Sequence, residues 1–216
     1  MKLGLIGFPQ VGKRTLFRLL TGQESEPENG KGEAQGLARV RDERFERLVE
    51  IYRPRLETPA LIEFILLPDL EKQPERNAGV WRALEKVDVI CHLVRAFPED
   101  TVFHLAGSVD PRRDIAALNE ELQLNDLLFV EKRVERLEKE RGRNGDARRA
   151  AQEKELLLRM KEHLEAGRFL STFPFTDEEQ KLVSGYLFLT RKPMILILNI
   201  GERQLHDPGL VDELAA

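Results

Sequence analysis

Apolar residues in this chain gather in four short runs, each about the length of a β-strand. The runs occupy residues 2–6, 61–67, 87–94 and 194–198. Each is nearly continuous in leucine, isoleucine and valine, which is typical of strands buried on both faces of a parallel sheet. Helical spacing appears between the runs, so the pattern predicts a doubly wound α/β sheet.

Two helices and one loop are predicted between the first two runs. Residues 15–20 show helical spacing, and so do residues 42–52, where Asp42 occupies the expected N-cap position and Pro54 ends the helix. Residues 25–36 hold Glu, Gly, Asn, Pro and Lys with almost nothing to bury. They therefore predict a mobile loop.

From residue 114 to about residue 167 the pattern changes to that of long helices. Apolar residues recur at helical intervals on both sides of a polar run rich in Gly and Asn, at residues 141–146. Two helices with one apolar seam each predict an antiparallel helical hairpin. A pair of long surface helices within a single domain is the alternative.

Composition narrows the class of protein. Of the 216 residues, 41% are hydrophobic and 33% are charged, which is ordinary for a soluble globular protein. A net charge of −4 argues against binding of nucleic acid or membrane over most of the protein surface, but it allows a local basic patch. With one cysteine and no apolar run near the roughly 20 residues that span a bilayer, we expect a cytoplasmic protein without membrane contact.

Residues 7–13 have the spacing of a phosphate-binding loop, Gly-x-x-x-x-Gly-Lys, between an apolar run and a helical pattern. Glycines let such a loop turn its backbone N–H groups toward phosphates, and Lys13 would reach the β- and γ-phosphates. The alternative is a strand, turn and helix with incidental glycines. The predicted nucleotide contacts in this region are Gly7, Pro9, Gln10, Val11, Gly12, Lys13, Arg14 and Thr15.

Arg14 stands where the motif requires Ser or Thr, whose hydroxyl binds Mg²⁺. Thr15 lies one residue further on, about 100° around a helix, and so cannot simply replace that ligand. A guanidinium has no lone pair for a metal, and its charge repels one. Arg14 could instead neutralise the phosphates directly, and Mg²⁺ binding is therefore doubtful.

The phosphate loop and several later segments resemble the YchF subfamily of Obg-like GTPases. Residues 7–17, GFPQVGKRTLF, are similar to the first motif of that family, and residues 88–97, DVICHLVRAF, are similar to one of its strands. Further similar segments follow in the family's order, at residues 109–115, 119–133, 162–167, 176–179 and 192–202. The resemblance implies a P-loop NTPase, with a Ras-like G domain and an inserted antiparallel coiled-coil hairpin.

The resemblance also implies the division of the chain. The G domain is expected at residues 1–116 and 180–216, and the hairpin at residues 117–179. The family carries a C-terminal TGS domain that has no counterpart here, and the chain stops before the last strand and the fifth nucleotide-binding motif of a complete G domain. We therefore expect either a fragment or a shortened relative.

By the same resemblance, Asn199, Ile200 and Glu202 correspond to the family's N-x-x-E motif, which recognises the base. A glutamate in place of the usual aspartate weakens guanine selection, and the family binds ATP as well as GTP, so the expected cofactor is GTP or ATP. The alternative is that Asn199 merely ends a buried strand and that Glu202 is a solvated loop carboxylate.

Two departures from the family pattern concern hydrolysis. Leu66 takes the place of the aspartate that holds Mg²⁺ through water, and Asp69 takes the place of a glycine whose N–H meets the γ-phosphate. Residues 23–40 contain no threonine that could close over the metal. Asp69 as a shifted metal ligand is the alternative, but its charge would face a phosphate. We therefore assign no catalytic and no metal-binding residue, and we expect weak or lost hydrolysis.

The turn of the predicted hairpin is basic. Between residues 132 and 149 there are eight basic and four acidic residues, a net charge of +4. This charge suits contact with RNA or the ribosome through Arg141, Arg143, Arg148 and Arg149, although such runs are more often solvated helix faces.

The sequence thus predicts a purine-nucleotide-binding protein that acts near translation. Two other functions stay open: a non-enzymatic scaffold or RNA/protein-binding module that keeps the P-loop fold, and an active NTPase with a rebuilt metal site. His92 is expected to be a hydrogen-bonded core histidine and Cys91 a small core residue.

Overall fold

The computed structural model describes residues 1–23, 33–99, 101–139, 147–206 and residue 209. The chain forms two compact units, Met1–Pro111 with Met194–Ala216, and Arg112–Pro193. We call the first the sheet unit and the second the helical unit. In sequence, the helical unit interrupts the sheet unit. No helix in the described ranges is long and apolar enough to cross a membrane.

In the sheet unit, the described residues form one five-stranded sheet with the strand order β2-β3-β1-β4-β5. The strands are β1 (Lys2–Ile6), β2 (Ala34–Arg39), β3 (Leu61–Leu66), β4 (Val89–Arg95) and β5 (Met194–Asn199). β1, β3, β4 and β5 are parallel, and β2 is antiparallel to β3. The four strands predicted from apolar runs are confirmed within two residues at each end.

β2 is the strand that the sequence did not predict. Of the loop expected at residues 25–36, residues 34–36 belong to this strand, and residues 25–32 lie outside the described residues. A side chain at Gly36 would place its Cβ 2.6 Å from Cγ2 of Thr21 and 2.9 Å from Cζ of Phe17. The helix that carries these two residues therefore packs directly on the backbone of β2, which explains why a strand forms here without an apolar run.

Three α-helices of the sheet unit are described: α1 (Lys13–Thr21), α2 (Glu43–Tyr52) and α3 (Ala78–Leu84). The predicted N-cap of α2 is confirmed, because the Asp42 carboxylate accepts a hydrogen bond of 2.9 Å from the backbone N–H of Arg44. None of the ten residues of α2 is buried in the described structure. A core cluster comprises Leu3, Leu5, Phe17, Phe64, Leu66 and Cys91.

The carboxyl ends of the four parallel strands lie along the same edge of the sheet, across the ends of the strands rather than along an outer strand. The chain crosses from β1 to β3 on one side and reaches β4 and β5 on the other, so the strand order reverses next to β1. In open α/β sheets, ligands bind outside the carboxyl ends of the strands at such a reversal. This edge therefore carries the candidate site.

The helical unit contains the two long helices α4 (Pro111–Lys139) and α5 (Ala147–Glu165) and the short helix α6 (Asp177–Leu182). Glu131 of α4 pairs with Lys161 of α5 at 2.7 Å, and Glu138, further along α4, pairs with Lys154, earlier in α5, at 2.6 Å. The two helices therefore lie antiparallel. The predicted hairpin is thus confirmed. Its core consists of Val130, Leu137, Leu156, Leu157, Met160, Leu164, Leu170, Phe173, Val183 and Phe188.

Candidate phosphate-binding site

Residues 7–12 link the end of β1 to the start of α1. Gln10 and Gly12 have φ angles of 60° and 96°, in the left-handed region. A Cβ at Gly12 would lie 2.5 Å from the side-chain nitrogen of Asn199. Glycine is therefore needed at position 12 both for its conformation and for the space, and the loop meets the end of β5 here.

Lys13, the first residue of α1, points back into the loop. Its side chain is 3% exposed, and its ammonium lies 2.5 Å from the carbonyl oxygen of Gly7 and 3.4 Å from that of Phe8. Burial lowers the pKa of this ammonium, and the neighbouring Arg14 adds to the effect. The loop thus holds a desolvated cation on its inner side.

Asp69 provides the counter-ion for this lysine. Its carboxylate lies 2.5 Å from the Lys13 ammonium and opposes the lowering of the lysine pKa. Asp69 follows β3, and the segment is held beside the loop by backbone hydrogen bonds from Leu67 N–H to Leu5 and from Leu70 N–H to Gly7. Because β1 and β3 are parallel neighbours, the turns that follow them meet at one edge.

The end of β5 contacts the loop directly. The side-chain amide of Asn199 donates a hydrogen bond of 3.0 Å to the carbonyl of Val11. Gln204 fixes the next turn, since its amide donates to the carbonyl of Ala96 at 3.0 Å and its oxygen accepts from Gly201 N–H at 2.8 Å. Ile200 is half-buried and Glu202 is exposed, so of the N-x-x-E segment it is Asn199 whose contact with the phosphate loop is described.

The positions that would hold Mg²⁺ carry no suitable donor set. Arg14 and Thr15 are exposed on α1, Leu66 is a buried hydrocarbon at the end of β3, and the Asp69 carboxylate is paired with Lys13. The described part of the chain has no group of three His, Cys, Asp or Glu side chains placed to hold a metal ion. A divalent cation does not fit these residues.

Sequence comparison shows known proteins that are similar to this chain. Over 215 residues the chain is 35% identical to the ribosome-binding ATPase YchF of Bacillus subtilis, covering 95% of this chain and 58% of that protein. It is 33% identical to Obg-like ATPase 1 of Homo sapiens, covering 94% of this chain and 54% of that protein. The chain is a relative of the YchF and Obg-like ATPases.

Comparison of the folds agrees. The structure of the YchF GTPase of Schizosaccharomyces pombe matches with a TM-score of 0.78 and 27% identity, covering 94% of this chain and 57% of that chain. The chain thus spans between 54% and 58% of the length of these relatives. No protein-family model matches it. The resemblance to YchF predicted from the motifs is confirmed.

Arg95 is an organising residue that the sequence analysis did not single out, although it lies in a segment similar to a YchF strand. It is 1% exposed at the end of β4. Its guanidinium donates to the carbonyls of Phe97, Glu99, Val102 and Phe103 at 2.8–3.3 Å. The sequence did carry a signal for this role, namely an arginine within a strand of aliphatic residues. A buried guanidinium needs several hydrogen-bond acceptors, so nearby backbone carbonyls could have been expected around it.

His92 and Cys91 lie in β4 behind the site. Burial raises the pKa of the Cys91 thiol to about 11, so the thiol stays protonated, as expected for a core residue. His92 is fully buried, but neither ring nitrogen has a hydrogen-bond partner among the described residues, contrary to the expected hydrogen-bonded histidine. Burial, with a smaller contribution from Lys13, lowers its pKa to about 4.

The basic turn of the hairpin is described only in part. Arg141 and Arg143 lie outside the described residues, whereas Arg148 and Arg149 are exposed near the start of α5. Arg133 is partly buried in the helical unit, and its guanidinium binds both carboxylate oxygens of Glu153, at 2.6 and 3.0 Å. Its charge is thus neutralised within the fold and adds little to the basic patch.

Proposed function

We propose that this chain binds a purine nucleotide, GTP or ATP, at the phosphate loop, with weak or lost hydrolysis, and that it acts near the ribosome. The buried Lys13 ammonium at the inner side of the loop carries the proposal. The ammonium donates to the Gly7 carbonyl and to Asp69, and its third contact, to the Phe8 carbonyl, is long at 3.4 Å. One donor is therefore only weakly engaged and can turn to a phosphate oxygen.

The loop residues would share the binding. Backbone N–H groups of residues 10–13 would surround the phosphates, and Lys13 would donate to a phosphate oxygen. Asn199 would hold the loop in place through Val11, while Ile200 and Glu202 would lie beside the base. Arg14, exposed in the first turn of α1, would supply positive charge from the position where related loops hold a metal ligand.

The donor set argues for binding without Mg²⁺. Phosphoryl transfer depends on positioning and on neutralising charge, with the metal central to both. Arg14 and Leu66 offer no oxygen ligand, and Asp69 is engaged with Lys13. Hydrolysis at this site should therefore be slow or absent.

Contact with the ribosome or with RNA is proposed for the turn of the hairpin. The B. subtilis relative is named as a ribosome-binding ATPase. Arg148 and Arg149, with Arg141 and Arg143 of the same basic run, have the charge that RNA phosphates require.

Calorimetric titration with GTP, GDP, ATP and ADP, each with Mg²⁺ and with EDTA, tests the nucleotide site. We expect affinities that differ by less than about threefold between the two conditions, a difference below about 0.7 kcal/mol. Lys13→Ala should abolish binding. A triphosphate complex that forms only with Mg²⁺ would contradict metal-free binding.

A non-enzymatic scaffold or RNA/protein-binding module is the second candidate. The internal pairing of Lys13 with Asp69 favours it, because the loop already carries its own anion. Failure of all four nucleotides to bind the wild-type chain would select this candidate.

Ribosome co-sedimentation at low salt tests the basic turn. Changing Arg141, Arg143, Arg148 and Arg149 to Ala should weaken binding at least tenfold. A matched variant that removes four exposed arginines of the sheet unit, Arg18, Arg41, Arg47 and Arg55, should bind as the wild type does. Equal loss in both variants would point to nonspecific charge.

A further inference from the structure

The ion pair between Asp69 and Lys13 bears on which nucleotide the loop accepts. Lys13 is nearly fully buried, and its ammonium lies 2.5 Å from one carboxylate oxygen of Asp69. The Asp69 side chain itself is 44% exposed, so its carboxylate contacts the buried ammonium and is also accessible to solvent.

The lysine has few hydrogen-bond donors left. An ammonium group carries three N–H donors. One is directed at the Gly7 carbonyl and one at Asp69, both at 2.5 Å, and the remaining contact is a long one of 3.4 Å to the Phe8 carbonyl. Lys13 therefore has one donor available for a phosphate oxygen, although a lysine in this position ordinarily serves both the β- and γ-phosphates.

We propose that Asp69 occupies the place at Lys13 that a terminal phosphate would take, so that the site prefers nucleoside diphosphates to triphosphates. This inference rests on the proposed nucleotide-binding function. A diphosphate needs only the one remaining donor of Lys13. A triphosphate must either displace the carboxylate from the ammonium or bring its terminal phosphate against it, and like charges at such distances repel.

The position of Asp69 is fixed by the fold rather than by its own side chain. The backbone N–H of Leu67 donates to Leu5 at 3.1 Å, and that of Leu70 donates to Gly7 at 3.5 Å. These bonds hold the segment against β1 and the loop on both sides of Asp69. Because the backbone is tied there, the carboxylate can leave the ammonium only by rotation of its side chain.

Titration with GDP, GTP, ADP and ATP in EDTA tests the preference. We expect the wild-type chain to bind each diphosphate at least tenfold more tightly than the matching triphosphate. Asp69→Asn keeps the shape and removes the charge, and should reduce that ratio to less than threefold, chiefly by tightening triphosphate binding. Glu71→Gln removes a neighbouring exposed charge that pairs with Arg76, and it should keep the wild-type ratio.

A measurement on the wild type alone covers the case in which Asp69→Asn fails to fold. Pyrophosphate should raise the melting temperature more than tripolyphosphate at equal concentration. Equal or tighter triphosphate binding by the wild type, or an unchanged ratio in Asp69→Asn, overturns the inference but leaves nucleotide binding standing. If no nucleotide binds the wild type, the proposed function itself fails.

Discussion

The side-chain amide of Asn199 donates a hydrogen bond of 3.0 Å to the backbone carbonyl of Val11, a residue 188 positions earlier in the chain. Asn199 ends β5, and Val11 lies in the loop that follows β1. The two strands are not neighbours in the sheet, since β4 lies between them. This single side chain therefore connects the phosphate loop to the segment that is similar to the base-recognition motif.

Removing the Asn199 amide should loosen the loop. For Asn199→Ala we expect a loss of about 1 kcal/mol in the free energy of unfolding, the usual net contribution of one hydrogen bond. Asn199→Asp keeps the shape but sets a carboxylate against the Val11 carbonyl, and should cost about 2–3 kcal/mol. Urea unfolding at neutral pH measures both, and equal losses would show that the hydrogen bond is not what matters.

Gly12→Ala should be destabilising for two separable reasons. The φ of 96° is strained for alanine, at about 1–3 kcal/mol. The new Cβ would also lie 2.5 Å from the Asn199 nitrogen. Combining Gly12→Ala with Asn199→Ala removes the clash but not the strain, so a double-mutant cycle should give a coupling of about 0.5–3 kcal/mol. Strict additivity would exclude the clash.

Arg14→Ser should make triphosphate binding depend on Mg²⁺. The serine restores the hydroxyl that binds the metal in this motif and removes a repelling charge. Titration of GTP and ATP with and without Mg²⁺ measures the change, and Arg18→Ser, one turn further along α1, is the control. Unchanged metal dependence would mean that Arg14 does not take the place of the ion.

His92 should make the sheet unit sensitive to acid. Burial, and secondarily Lys13, lowers its pKa from 6.5 to about 4. The unfolded chain then takes up a proton more readily than the folded one. The free energy of unfolding should therefore fall as the pH drops from 6.5 to 4, by at most about 1.4 kcal/mol per pH unit from this residue.

Urea unfolding between pH 7.5 and pH 4.5 measures this slope. His92→Leu should flatten it relative to the wild type, while His206→Gln, which removes an exposed histidine, serves as the control. A parallel slope in His92→Leu would assign the acid sensitivity to other groups.

Glu153→Gln should destabilise the helical unit. The Glu153 carboxylate is 9% exposed and accepts hydrogen bonds from Nε and Nη2 of Arg133 and from the Tyr186 hydroxyl. Weakening these charge-assisted bonds should cost about 1.5–3 kcal/mol. Glu138→Gln breaks an equally short pair with Lys154, but Glu138 is 50% exposed, so it should cost less than about 1 kcal/mol. Thermal unfolding of both variants tests this difference.

The features that the sequence predicted correctly are those with a local signal. The continuous apolar runs mark β1, β3, β4 and β5, and Asp42 marks the start of α2. β2 lacked such a signal because it is an edge strand that contains Gly36. It forms by pairing with β3 and by contact with α1, neither of which leaves an apolar run in the sequence.

The site was predictable in its residues but not in its contacts. The spacing of Gly7, Gly12 and Lys13 identifies the loop without reference to the rest of the chain. The Lys13–Asp69 pair joins residues 56 positions apart, and it depends on the register of β1 against β3. Likewise, the His92 ring has no hydrogen-bond partner among the described residues because of the packing around β4, which a strand pattern does not specify.

The exposure of α2 has a consequence for how the sheet unit opens. A helix of ten residues with none buried is held by its cap and its connections more than by packing. Such a segment unfolds locally at a small fraction of the global free energy, so its amide hydrogens exchange with solvent long before those of β1 and β4. Protection of the amide hydrogens from exchange should therefore differ across the sheet unit. It should be strong in the parallel strands next to the phosphate loop and weak in α2.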